Sequence, residues 1–227
     1  MKKPFVKALV AARSGSVRVQ NKNIRPFAGS TLLEVKIEQL KRIQNIDGIV
    51  VNSNDEYILS LAKKLGVETV ERSSYYASNE VSMSDVYKNM AENMDCDIIV
   101  YANCTNPLIK DETIYDIIDF YLNNSQYDSV NSSHPIKEFL FKDNLPINYD
   151  LRFQPRSQDL PDIRALNFAV NVISKEKMIE CKNVVGVMPY LYNINQTEAT
   201  DIDNPIDFFI AEQIYNKVIM KKENLLD

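Results

Sequence analysis

Strand-type apolar runs alternate with segments of helical period through the first half of the chain, and that alternation leaves few folds open. Residues 5–12 ("FVKALVAA") read as a buried strand, and residues 31–44 as a helix with Leu33, Ile37 and Leu40 on one face. "GIVVNS" gives a second strand, followed by a helix through "DEYILSLAKKLG" with Asp55 as its N-cap and Gly66 as its stop. "VETVE" is a third strand, "SMSDVYKNMAENM" a helix that Ser82 or Ser84 caps, "CDIIVYAN" a fourth strand and "DETIYDIIDFYLNN" a further helix. Units of this kind predict an α/β fold, with a mainly parallel sheet flanked by helices and ligands gathered at the carboxyl ends of its strands.

Residues 135–165 break the rhythm. They contain Pro135, Pro146, Pro155 and Pro161, show no sustained helical period and mix aromatics with charges. An extended arm or hairpin leaving the sheet is expected. Its Phe139, Leu140, Phe141, Leu145, Leu151 and Phe153 are too apolar to stay in water on one subunit, which predicts a homodimer joined through the arm. Regular structure returns with "NFAVNVI", a helix around "SKEKMIE", a strand around "VGVMPYLY" and a long C-terminal helix from Pro205 to about Lys222. The 227 residues read as a single domain, 1–227, with 135–165 as its arm.

Charge and cysteine usage narrow the partners. A net charge of −5 gives no general attraction to nucleic acid, so a cluster of cations is a local feature suited to a small anion. Cys96, Cys104 and Cys181 are odd in number and far apart, with neither a disulfide framework nor zinc spacing, and a reducing cytoplasm is the expected location. No apolar stretch approaches the ~18 residues of a membrane span, and no membrane association is expected.

Such a cation cluster follows the first strand. "ARSGSVRVQNKNI" places Arg13, Arg18 and Lys22 among small residues, where a helix could begin and backbone N–H groups face an anion. Arg can pair with phosphate oxygens as a fork and Lys as a point charge. The pattern is neither G-x-x-x-x-G-K-[ST] nor G-x-G-x-x-G, and from composition alone a solvated basic turn reads equally well. Far along the chain, "TDIDNP" sets Asp201 and Asp203 at i and i+2, on one side and ~6–7 Å apart if the stretch is extended. Two such carboxylates can hold one Mg²⁺. The same letters also spell an N-cap, with Asp203 or Asn204 capping a helix that begins at Pro205 and Asp207 in its first turn.

The loop resembles the signature A-R-x-G-S-x-R/K-x-x-x-K-N-[ILV] of the acylneuraminate cytidylyltransferase family, the CMP-sialic acid synthetases and their relatives for other 2-keto sugar acids. Further blocks fall in the same order. "ERSSYYAS" resembles R-P-x-x-x-A-S, "YANCTNPL" stands where the family reads L-Q-P-T-S-P-L, and "FQPRSQDLP" resembles P-R-x-Q-L-P. "RALNFAVNVI" stands where the family has R-x-N-G-A-I-Y-I, and "DIDNPIDFFIAE" is close to D-I-D-T-x-x-D-x-x-x-A-E. These blocks span residues 8–212, nearly the whole chain.

The resemblance implies a Rossmann-like nucleotidyltransferase that moves CMP from CTP onto a hydroxyl of an acidic sugar and expels pyrophosphate. It implies nucleotide contacts from Arg13, Ser14, Gly15, Ser16, Arg18, Lys22 and Asn23, and from Arg72, Ser78 and Ser82. It favours Mg²⁺ on Asp201 and Asp203, leaves Asp207 to the helix terminus, and gives catalytic weight to Arg13, Lys22 and Asp203. Acceptor contacts are implied for Asn103, Lys137, Arg156, Gln158, Arg164 and Asn167, although Lys137 and Arg156 also suit the surface of an exposed arm. No general base is evident, since the single His134 opens the arm. Other readings are the same architecture with another nucleotide or a sugar-phosphate or phosphonate acceptor, and a catalytically silent nucleotide-binding subunit. Four positions depart from the sialic acid pattern: Asn103 for Gln, Asn106 for Ser, Phe168 for Gly and Asn171 for Tyr.

Overall fold

The computed structural model describes residues 3–16 and 18–223. The chain opens with β1 (Val6–Ala11), a 3₁₀ turn at Lys22–Ile24, and a small hairpin of β2 (Pro26–Phe27) and β3 (Ser30–Thr31). Then come α1 (Leu32–Lys41), β4 (Gly48–Ser53), α2 (Glu56–Lys64), β5 (Glu68–Glu71), α3 (Ser74–Ala77), α4 (Met83–Glu92), β6 (Ile98–Ala102) and α5 (Asp111–Asn123). The second half holds β7 (Ser129–Ile136), β8 (Phe141–Lys142), β9 (Leu145–Pro146), β10 (Ile163–Ser174), α6 (Lys175–Cys181), β11 (Pro189–Asn193) and α7 (Pro205–Ile214). Seven strands form one sheet in the order β11-β7-β10-β6-β1-β4-β5. All neighbours are parallel except β10, which runs antiparallel to both β6 and β7. The expected mainly parallel α/β sheet is therefore present.

Side-chain alternation along β1 builds both layers of the core. Val6, Ala8 and Val10 pack on one face with Leu33, Ile37 and Leu40 of α1 and with Ile114, Ile117 and Ile118 of α5. Leu9 points to the other face, among Val86 and Met90 of α4, Ile99 and Tyr101 of β6, and Met178 of α6. Local signals fix the helix starts. Thr31 caps α1 by accepting from the Glu34 N–H, Asp55 caps α2 by accepting from Tyr57 and Ile58, and Ser82 caps α4 by accepting from Asp85. Gly66, at φ 74°, ends the second helical segment as expected, in a left-handed conformation that glycine adopts without strain.

Several expectations need adjusting. The C-terminal helix stops as an α-helix at Ile214 and continues as a π-helical turn over Tyr215–Met220. Residues 129–134, whose sequence carries no strand pattern, form most of β7, and Ser129, Asn131, Ser132 and Ser133 there are fully buried. The arm is a short β8–β9 hairpin followed by an Asp150–Phe153 bridge and a 3₁₀ turn at Ser157–Asp159. Phe139 and Phe141 pack edge-on against Tyr149, at 5.0 and 5.9 Å between ring centroids. Leu145, Ile147, Leu151 and Phe153 remain exposed, at 65, 59, 62 and 76%. Among the described residues no helix is long and apolar enough to cross a membrane.

Candidate active site

The carboxyl ends of β1, β4, β5 and β6 meet at one edge of the sheet, and each hands a functional residue to the loop that follows. After β1, the backbone turns through Gly15 at φ 82°, where nothing lies within 4 Å of a would-be Cβ, so the conformation rather than crowding calls for glycine. The loop then lines a cleft of about 340 Å³ with Arg13, Gly15, Ser16, Arg18, Lys22 and Asn23. Asn103, Cys104 and Thr105 from the loop after β6 form the opposite wall, and Asp203 closes the rim. A larger open groove of about 720 Å³ lies elsewhere, between Tyr57, Arg25, Pro205 and Phe209, but it gathers no comparable set of cations.

Charges inside the cleft already answer one another. The Arg18 guanidinium donates to Asp203 Oδ1 at 2.8 Å, and Lys22 Nζ lies 3.8 Å from the same oxygen while donating to the Ile202 carbonyl. These partners lie 185 positions apart in the chain for Arg18, so the first loop and the acidic segment are brought together only by the complete sheet. Of the two readings of "DIDNP", the helix cap is realised. Asn204 caps α7 in a capping box with Asp207, Pro205 occupies the first turn, and the Asp203 carboxylate is left to face the cleft. Asp207 belongs to the helix terminus, as expected.

Asp201 is placed differently from its neighbour. It does not line the cleft, and burial of its surroundings, together with the charge of Asp203, raises its carboxyl pKa, while a hydrogen bond with the Thr105 side chain and the charge of Lys22 oppose that shift. Its surface remains exposed. Among the described residues no cluster of three or more His, Cys, Asp and Glu side chains could hold a metal by itself. Two carboxylates that repel each other, one on the cleft rim and one behind it, are a donor set of the kind that suits a hard divalent cation with further oxygen ligands from elsewhere. Asp201 and Asp203 are the residues present for it.

A second cleft of about 340 Å³ adjoins the first, and Arg13 lines both. Its floor is Arg72 with Met90 and Tyr101, and its sides include Tyr76, Ser78 and Asn79. Arg72 is buried, at 6% exposure, and it donates to neutral groups: Asn52 Oδ1 at 2.6 Å, the Asn52 carbonyl at 3.4 Å and Met90 Sδ at 3.5 Å. Burial lowers the guanidinium pKa, with the charge of Arg13 acting the same way. A buried cation supported by neutral groups is costly unless a ligand completes its hydrogen bonding. Arg13 meanwhile donates to the Ala77 carbonyl and Asn79 Oδ1, tying the loop after β1 to the end of α3 and the turn that follows it.

Not every expected residue converges. Ser14 turns away from both clefts and exchanges hydrogen bonds with Asn54, and the Ser82 hydroxyl is committed to its cap and to Asp85. Ser78 does line the second cleft. Of the acceptor candidates only Asn103 lines the first. Lys137 donates to the Leu160 carbonyl, Arg156 pairs with Asp159, and Gln158 is exposed on the arm. Arg164 reaches Asp162, Ser133 and the Leu191 carbonyl, and Asn167 is buried and donates to the Ala199 carbonyl. His134 lines neither cleft, and its Nδ1 is buried without a partner. Sequence reasoning missed Asn52, Asn54 and Thr105, which hold Arg72, Ser14 and Asp201. Asn and Thr at or just past a strand end were the only signal for them.

A cationic loop after the first strand of a mainly parallel sheet, faced by an acidic segment from near the far end of the chain, is the layout of an α/β nucleotidyltransferase. The sequence profile of the cytidylyltransferase family matches residues 7–164. The chain belongs to this family, and its resemblance to the acylneuraminate members holds. It is 27% identical over 225 residues to a pseudaminic acid cytidylyltransferase of Campylobacter jejuni, covering 91% of this chain and 94% of that one. To N-acylneuraminate cytidylyltransferase A of Danio rerio it is 24% identical over 221 residues, spanning 93% of this chain but only 51% of the relative. A solved CMP:2-keto-3-deoxy-manno-octonic acid synthetase complexed with CTP shares the fold, with a TM-score of 0.67 at 10% identity over 96% of this chain and 99% of that one.

Proposed function

We propose that the protein transfers CMP from CTP to a hydroxyl of an acidic sugar of the nonulosonic type and releases pyrophosphate. The observation that carries this reading is the pair of clefts joined by Arg13, one ringed by cations facing Asp203 and the other floored by a buried Arg72 with neutral partners. A nucleotide laid across Arg13 would rest its base on Arg72 and its phosphates against Arg18 and Lys22. The acceptor hydroxyl oxygen then bonds to the α-phosphorus in line as the bond to the oxygen bridging to the β-phosphorus breaks; pyrophosphate leaves with that electron pair, and the hydroxyl proton passes to solvent water. Positioning and charge neutralisation supply most of the catalysis in such a transfer. Arg13 and Lys22 stabilise the leaving group. Phosphates arriving at Arg18 would release Asp203 from its ion pair, making its carboxylate available beside Asp201. Mg²⁺ bound there would withdraw charge from the phosphoryl oxygens. Pyrophosphate detection after incubation with CTP, Mg²⁺ and a panel of keto-sugar acids tests the reading. A thermal-shift comparison of CTP, GTP, UTP and ATP tests the base.

Acceptor choice is expected to depart from N-acetylneuraminic acid. Asn103 shortens an amide on the cleft wall, and Asn106 beside it is buried and donates to the Thr200 carbonyl. Phe168 holds φ 60° within the irregular stretch of β10 between Leu166 and Asn171, and Asn171 is fully buried against Asn131. A single hydrogen bond or apolar patch added to a sugar site, or taken from it, changes discrimination by ~1–3 kcal/mol. A different nonulosonic acid, legionaminic or pseudaminic acid first among them, should show the higher kcat/KM. A panel in which N-acetylneuraminic acid came out best would refute this.

The reading also includes a homodimer, supported by the exposed apolar side chains of the arm. The protein should sediment at about twice 26.1 kDa at micromolar concentration, and Leu145→Asp with Phe153→Asp should shift it to the monomer. A 26.1 kDa species for the unaltered chain would count decisively against the pairing.

A further inference from the structure

Behind the wall of the phosphate cleft lies a lysine that the proposed chemistry does not use. Lys36, on α1, is fully buried, and its Nζ donates to Gln39 Oε1 at 2.8 Å and to the Asn106 carbonyl at 3.0 Å. Gln39 in turn donates to the Ile109 carbonyl and to Asp111, and Asp111 accepts a two-pronged bond from Arg42 at the surface. A polar chain thus crosses the core from Arg42 to the loop after β6. That loop carries the acidic segment with it. Asn106 Nδ2 donates to the Thr200 carbonyl, the Ile202 N–H donates to the Thr105 carbonyl, and the Thr105 side chain bonds Asp201.

We infer that Lys36 is a positioning residue for the reaction: by fixing the Asn106 carbonyl it sets the distance between the cleft wall at Asn103–Thr105 and the segment bearing Asp201 and Asp203. The inference rests on reading this cleft as the CTP site. Its energetics separate it from a residue kept for stability. The groups facing Lys36 are Cys104, Asp111 and Arg42; the first two favour its charged form and Arg42 opposes it, yet burial dominates and lowers its pKa to about 8. A buried ammonium held mainly by neutral acceptors costs the fold free energy, and exchanging it for an apolar chain of similar length is commonly neutral or stabilising. A group that burdens the fold but orders two site segments is explained by what it orders.

Lys36→Met separates the two roles. The variant should melt no lower than the parent, yet its amides at residues 103–106 and 199–203 should exchange with deuterium several-fold faster, while those of β4 and β5 stay unchanged. Turnover should fall about tenfold with little change in KM for CTP, the lower end of what losing an outer support of a metal site costs. Lys36→Gln keeps an N–H donor without the charge and should fall between. Normal exchange at both segments, in whichever variant folds, overturns the inference, as does collapse of both variants, which would make Lys36 a stability residue. Exchange needs no nucleotide, so it reports on Lys36 independently, whereas pyrophosphate release by the unaltered protein reports on the reading of the cleft.

Discussion

Lys22→Ala and Asp203→Asn should each slow pyrophosphate release about a hundredfold, corresponding to ~3 kcal/mol of lost transition-state stabilisation. Neither change should unfold the protein, because both side chains sit at the cleft, 15 and 49% exposed, and neither enters the apolar core. The two variants should differ in the other kinetic constant. On the proposed reading Lys22→Ala removes a cation that meets the phosphates in the ground state as well, so its KM for CTP should rise. Asp203→Asn removes the carboxylate that occupies Arg18, so CTP meets a more positive cleft and KM falls while kcat collapses. Steady-state kinetics over CTP and Mg²⁺ concentration distinguishes the patterns. Near-normal turnover in both variants would show that the transfer takes place elsewhere.

Arg72→Met should weaken CTP binding by one to two orders of magnitude, since a hydrogen bond from a charged donor is worth ~1.5–3 kcal/mol. Replacing a buried guanidinium by an apolar chain removes a desolvation cost, and the main group left wanting is Asn52 Oδ1. The variant should therefore fold and lose nucleotide affinity, together with its preference among bases. Calorimetry with CTP and UTP measures both. Unchanged CTP affinity would remove the second cleft from the nucleotide site.

The first half of this fold was legible because its signals are local. Apolar runs such as those of β1 and β6 can only be buried strands in a chain this charged, and Thr31, Asp55 and Ser82 stand where helix starts need a side-chain acceptor. The strand β7 escaped notice because "SVNSS" carries the composition of a loop. Its polar groups are satisfied by distant partners, Asn171, Val184 and Tyr192, which no window of sequence contains. The antiparallel course of β10 was hidden for the same reason, since direction is set by the connection through the arm. At the site, charged residues were legible by type and their neutral supports were not. Arg72 stood out in the sequence, whereas the Asn52 that anchors it 20 positions earlier looks like any strand-end asparagine. Ser14 and Ser82 are the converse case: Ser14 fills a variable position of the matching signature and Ser82 lies just beyond a matching block, and both spend their hydroxyls on the local architecture.

The contact between Arg18 and Asp203 also bears on how the protein is made. Synthesis runs from the amino end, so the cationic loop, the first parallel strands and Arg72 are all made while the acidic segment has yet to be translated. Closing a loop across 185 positions comes late, because it must wait for β10 and β11 to add to the sheet. A nascent or prematurely terminated chain can hence offer a nucleotide its cations without the carboxylates that oppose them. On the proposed reading it would bind CTP without consuming it.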